Sequence, residues 1–233
     1  MSGGRAHRSV AWLLAAAVAA LPLAAAAQAV PIPPMTATEV SAQLEGNATL
    51  ESRLDVDFDF DGELDTVFVA LGSRGRMAIA MQAYRDAGGE GHRRIGVLRL
   101  PDSPLMPAQL ALRSGVLSID DLTGSDTATQ ATYRFRYDRK LRTLRLVGLD
   151  AARYSRRRLH GSVRLNWDPV SGLQALSFGT PTGGEGSEQG YRYGDVRRKL
   201  RKAPALTFGR TPTADQALEQ AGVRLGQGMP VGD

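Results

Sequence analysis

The sequence predicts an antiparallel, all-β chain, and three observations carry that prediction. Short apolar, β-branched runs recur along the chain with Gly-, Pro- or Asp-rich turns between them. Tyr133, Phe135 and Tyr137 alternate with Arg134, Arg136 and Asp138, which puts aromatic and charged side chains on opposite faces of one strand. Helical periodicity is confined to a short stretch near each end of the chain. The expected architecture is a meander or sandwich, or a partial propeller-like sheet, with short helices near both termini.

The first 29 residues read as a segment apart from the fold. Arg5, His7 and Arg8 form a basic start, and an apolar stretch follows from Ala11 to Ala26. Ala27-Gln28-Ala29 then has the form of a signal-peptidase site. Pro22 interrupts the apolar run, which is short for a membrane span. An uncleaved N-terminal anchor is the alternative to a secretory signal peptide. No later segment is apolar for long enough to cross a bilayer. With no cysteine in the chain, disulfides, a thiol nucleophile and lipidation at an N-terminal cysteine are excluded. The mature chain is therefore expected to start near Val30 and to be periplasmic or secreted.

The formal net charge of +5 includes Arg5 and Arg8, which leave with the leader. Lys140, Lys199 and Lys202 are the only lysines, so the basic excess is an arginine bias. It is read as compositional, and no nucleic-acid partner is expected.

Residues 30–49 form a proline-rich lead and a short helix, with Thr36 and Glu39 spaced as a capping box. The β region spans residues 50–210. Its expected strands are Thr66–Leu71, Met77–Tyr84, Arg94–Leu100, Gln109–Arg113 and Val116–Ile119. After a polar loop from Asp120 to Thr127 come the aromatic strand and its return, Arg142–Asp150, with Leu144, Leu146 and Gly148 facing inward. Tyr154 to Arg158 reads as an arginine-rich bend. Ser162–Trp167 and Leu173–Phe178 form a hairpin, and a Gly-rich loop follows from Thr180 to Gly190. Residues 211–233 hold a final helix, with Thr211 as cap and Pro212 at its first position, and a tail.

Chemistry is concentrated between Asp55 and Asp65, where acidic residues occupy alternate positions and an apolar run follows at once. Asp57, Asp59, Asp61, Gly62 and Asp65 spell D-x-D-x-D-G-x-x-D. Like charges this dense repel, and a hard cation taking six to eight oxygens is the simplest compensation. The expected ligands are the carboxylates of Asp57, Asp59, Asp61 and Asp65 and the carbonyl of Glu63, with Ca2+ as the ion. The twelfth position from Asp57 is Phe68 rather than a glutamate, which excludes an EF-hand. The competing reading is an edge strand with its acids in water and Val56, Phe58, Phe60 and Leu64 in the core.

The segment resembles the calcium loop of FG-GAP or VCBS-type propeller blades, which have this spacing followed by a strand, as Val67-Phe-Val-Ala70 follows here. The resemblance covers about sixteen residues and departs from the pattern at Phe60, where such loops carry Gly or Asn. It implies a structural calcium site; a single loop does not imply a whole propeller. A wider resemblance, to exported bacterial proteins with one such loop, rests on residues 127–137, Leu146–Asp150, Tyr154-Ser155 and the Trp167 to Gly172 hairpin. It implies no activity.

Other clusters are read as surface: Asp120, Asp121 and Asp126 as a solvated turn, His92 and His160 as surface histidines in turns. No G-x-S-x-G, H-E-x-x-H or P-loop pattern occurs. Arg153, Arg156, Arg157 and Arg158, with Arg197, Arg198, Lys199, Arg201 and Lys202, form either a solvated face or a surface for an anionic envelope polymer. Three functions stay open: a non-enzymatic envelope module that binds a polymer or another envelope protein, a calcium-dependent hydrolase of envelope polymers, and an anion-binding surface protein.

Overall fold

Two antiparallel sheets, of four and eight strands, stack face to face in the computed structural model, which describes residues 30–44, 46–157, 161–182, 190–202 and 204–223. The first is a meander of β1 (Thr49–Val56), β2 (Asp65–Gly72), β3 (Gly75–Asp86) and β4 (Gly89–Leu100). The second continues with β5 (Gln109–Arg113), β6 (Val116–Gly124), β7 (Thr127–Asp138), β8 (Thr143–Ser155), β9 (Ser162–Asp168) and β10 (Leu173–Pro181). The short strands β11 (Tyr191–Tyr193) and β12 (Arg197–Leu200) pair with opposite ends of β10. Nearly every sheet neighbour is also a sequence neighbour, as the turn spacing predicts. The stacking selects the sandwich over a propeller-like sheet.

Period-two alternation builds the core. Val67 and Val69 of β2, Ala78 and Ala80 of β3 and Leu98 of β4 face Ile119 of β6, Tyr133 and Phe135 of β7 and Leu144, Leu146 and Leu149 of β8. Fully burying one such large side chain contributes about 1.5–3 kcal/mol. The other face of the first sheet is also covered. Helix α1 (Ala37–Gln43), closed by the reciprocal Thr36–Glu39 capping box, lays Val40 over Phe68, Ile79 and Met81, beside Met35 of the preceding lead. That second layer explains why β2 is apolar without alternation: both of its faces are dry.

Phe208, on a short 3-10 turn (Phe208–Arg210), meets Phe135 edge-on with ring centroids 4.8 Å apart. Helix α2 (Ala214–Gln220) adds Ala217 and Leu218 to the core, and the Ala214 amide donates to the buried Tyr133 hydroxyl at 2.8 Å. No helix among the described residues is long and apolar enough to cross a membrane.

Several local expectations are corrected. The stretch from Asp120 to Thr127 is not a loop: β6 runs to Gly124 and β7 starts at Thr127. The inward set Leu117, Ile119, Asp121 and Thr123 continues in register, so Asp121 is buried rather than solvated. A register shift between Arg134 and Phe135 turns Leu149 inward and leaves Gly148 beneath Arg134, where a Cβ would lie 2.7 Å from Nε. The cap of α2 is Thr213, which accepts from the Gln216 amide, while the Thr211 hydroxyl donates to Thr207 O. The bend expected from Tyr154 is strand up to Ser155. His92 lies in β4 rather than in a turn. The leader at 1–29, Arg158, His160, residues 183–189 of the Gly-rich loop and the tail from 224 lie outside the described residues.

Arg76, in β3, projects between the sheets with 1% of its surface exposed. Its Nε donates to Glu51 Oε2 of β1 at 2.6 Å, and an Nη donates to Asp121 Oδ1 of β6 at 2.7 Å. The Ala108 amide also donates to Glu51. One buried guanidinium thus ties both sheets and the β4–β5 connection together.

Candidate metal centre

The acidic residues leave β1 at Asp57 and re-enter the sheet at Asp65, so the segment between is a loop rather than an edge strand. Phe58 fixes it from below, 1% exposed and 5.9 Å from the Tyr137 ring by centroids. Two left-handed residues make it curl, Phe60 at φ 62° and Gly62 at φ 92°. Gly62 adopts this conformation freely, whereas for Phe60 it costs about 1–2 kcal/mol. The Phe60 ring lies over Gly115 in the β5–β6 turn, close enough that a Cβ there would meet ring atoms at 2.8 Å.

The curl gathers Asp57, Asp59 and Asp61, with one carboxylate oxygen from each within 4.8 Å of the others. Two oxygens on one calcium ion are separated by at most twice the bond length, about 5 Å, so the three fit around a single ion. Amides of the loop point at the same carboxylates. Asp57 Oδ1 accepts from Phe60 N at 2.6 Å and Asp57 Oδ2 from Gly62 N at 3.0 Å; Asp61 Oδ1 accepts from Glu63 N at 2.9 Å. These donors offset part of the charge and preorient the oxygens.

Asp59 is the buried member, at 6% exposure. Its Oδ2 accepts from Gln82 Nε2 of β3, and that nitrogen also contacts Tyr137 OH of β7 at 3.0 Å. Arg93 in turn donates to Gln82 Oε1 at 2.8 Å, fixing the amide so that its NH2 faces the loop. Burial raises the Asp59 pKa, the charges of Asp61 and Asp57 add to the rise, and the Gln82 hydrogen bond opposes it. An ion in the loop would relieve these costs.

The remaining expected carboxylate ligand, Asp65, is tied into the first sheet. Asp65 opens β2 fully buried and bridges two amides, Phe58 N at 3.0 Å and Ala83 N at 2.9 Å. Its carboxylate stands outside the three-residue group. Burial, with the Asp59 and Asp61 charges adding to it, pushes its pKa up to about 8 against the pull of both amides. The Glu63 side chain turns away from the loop, accepting from Ile32 N and pairing with Arg85 at 3.5 Å. The N-terminal arm is thereby fastened to the loop.

Sequence reasoning missed Gln82 and the Arg76 network. Both had one available signal, a polar residue in a strand whose neighbours two positions away point into the core. Among the described basic residues, Arg153 pairs with Asp215 at 3.0 Å, Arg134 with Asp150 at 2.6 Å and Arg157 with Asp126 at 3.3 Å. Two clefts, of about 370 Å³ on the outer face of the second sheet and about 210 Å³ beside α1, contain no loop residue. Comparison with protein-family models, with curated proteins and with solved structures gives no match to this chain.

Proposed function

We propose that the chain is an exported, non-enzymatic β-sandwich that binds one calcium ion as a structural element and serves as a binding or interaction module of the cell envelope. The observation that carries the ion is the convergence of the Asp57, Asp59 and Asp61 carboxylates within one coordination diameter. The Glu63 carbonyl would be a fourth ligand, and Asp65 supports the set from behind through the amides it holds. Calcium suits an all-oxygen donor set on a flexible loop; magnesium demands a stricter octahedron and keeps its waters. The loop joins β1 to β2 and touches β3 through Gln82, so an ion there would brace one end of the sandwich. The signal-like leader supports export.

The test is thermal unfolding of the chain with EDTA, then with millimolar calcium or magnesium. At a hundred times its dissociation constant a ligand specific to the folded state adds about 2.7 kcal/mol. For a domain of this size that raises Tm by about 5–10 °C. Calcium should give this shift and magnesium much less, and Asp59→Ala/Asp61→Ala should abolish it. An unchanged Tm, or an undiminished calcium response in the double variant, refutes the metal assignment.

A further inference from the structure

We propose that the cleft beside α1 is a binding site for an anionic amphiphile, an alkyl chain ending in a single negatively charged head. It lies on the outer face of the first sheet, between the C-terminal end of α1 and strands β2 to β4. Its floor is apolar, with Leu44, Met77 and Val97 packed beside the buried cluster under the helix. Its rim is cationic: Arg74 stands in the β2–β3 turn, Arg94 and Arg99 stand on β4, and all three are exposed. Among the described residues lining the cleft none is acidic.

Strand register produces this division. Met77 pairs with Arg99 across the β3–β4 ladder and Ile79 with Val97, so an arginine follows directly on the apolar row. Arg94 is steadied by donating an Nη hydrogen to Gln43 Oε1 of the helix at 2.8 Å. Guanidinium forks match carboxylate and phosphate oxygens in pairs, and the apolar floor beside them gains only when a hydrocarbon covers it. Neither a bare anion nor an uncharged alkane satisfies both halves. At about 210 Å³ the cleft is smaller than typical drug-sized sites, which fits a single medium-length chain rather than a two-tailed lipid. This site is separate from the acidic loop and does not depend on calcium.

Decanoate, in EDTA-containing buffer below its micellar range, is the probe, titrated calorimetrically into the full chain and into an Arg94→Gln/Arg99→Gln variant. Binding to the apolar N-terminal stretch is common to both proteins and cancels in the comparison. The expected result is saturable one-to-one binding that weakens at least tenfold in the variant, whose Tm stays near that of the parent. Octanoate should bind about fifteenfold more weakly than decanoate, since each buried methylene is worth roughly a factor of four. Decanol should bind more weakly than decanoate, and inorganic phosphate should give no measurable binding. Equal decanoate affinity in parent and variant, no saturable binding, or phosphate binding as tightly as decanoate would each overturn the proposal.

Discussion

Removing the charge of Arg76 tests how the sandwich is held together. Arg76 is 1% exposed and faces Glu51 and Asp121, which are themselves largely shielded from water. Two unit charges 4 Å apart attract by about 4 kcal/mol at an effective dielectric of about 20. Two such partners offset the cost of dehydrating the guanidinium, several kcal/mol. Burial works to raise the Glu51 pKa, but Arg76 and the Ala108 amide outweigh it and the net effect is a lowering. Asp121 lies deeper, and there burial wins over Arg76 and raises its pKa.

In Arg76→Leu both carboxylates lose their partner, and Asp121 is left as an unpaired buried acid. The expected loss is about 3–5 kcal/mol, read as a fall in Tm of about 6–20 °C. Without Arg76 the folded-state pKa of Asp121 climbs further above its unfolded value, so the variant loses stability as pH rises. Its deficit against the parent should therefore be larger at pH 8 than at pH 5. Arg76→Leu/Asp121→Leu should recover part of the loss. A loss under 1 kcal/mol by chemical denaturation, or a deficit that shrinks as pH rises, would refute the argument.

Three further outcomes are expected. Asp65 carries a folded-state pKa of about 8 against an unfolded value near 3.8, so its contribution to stability is full below about pH 4 and is lost as pH rises towards 8. EDTA-treated protein should show this downward slope in a pH series of melts, at most about 1.4 kcal/mol per pH unit, and calcium should flatten it. Gly62→Ala forces a side chain into φ 92° and should cost about 1–2 kcal/mol while weakening calcium binding by titration; unchanged affinity would argue against the curl as the organiser of the ligands. Tyr133→Phe leaves the Ala214 amide without its acceptor and should cost about 1–3 kcal/mol, with faster amide exchange in α2 as the local readout.

What the sequence determined by itself was whatever depends on neighbours in the chain. The alternation of Tyr133, Phe135 and Tyr137 placed aromatics on the core face because strand periodicity is local. Thr36 and Glu39 wrote the α1 cap within a single turn. The spacing of Asp57, Asp59, Asp61 and Gly62 announced a carboxylate-gathering loop because a turn of a few residues brings such side chains near one another. Tertiary structure decided the rest. Asp121 reads as a turn acid until the opposite sheet presents Arg76, and nothing near Asp65 in sequence announces that its carboxylate holds the Ala83 amide of β3. The mate that orients Asp59 is Gln82, and its own anchors, Arg93 and Tyr137, come from two different sheets. In each case at least one partner is distant in sequence, and the cost of leaving a buried polar group unpaired is what makes that partner necessary.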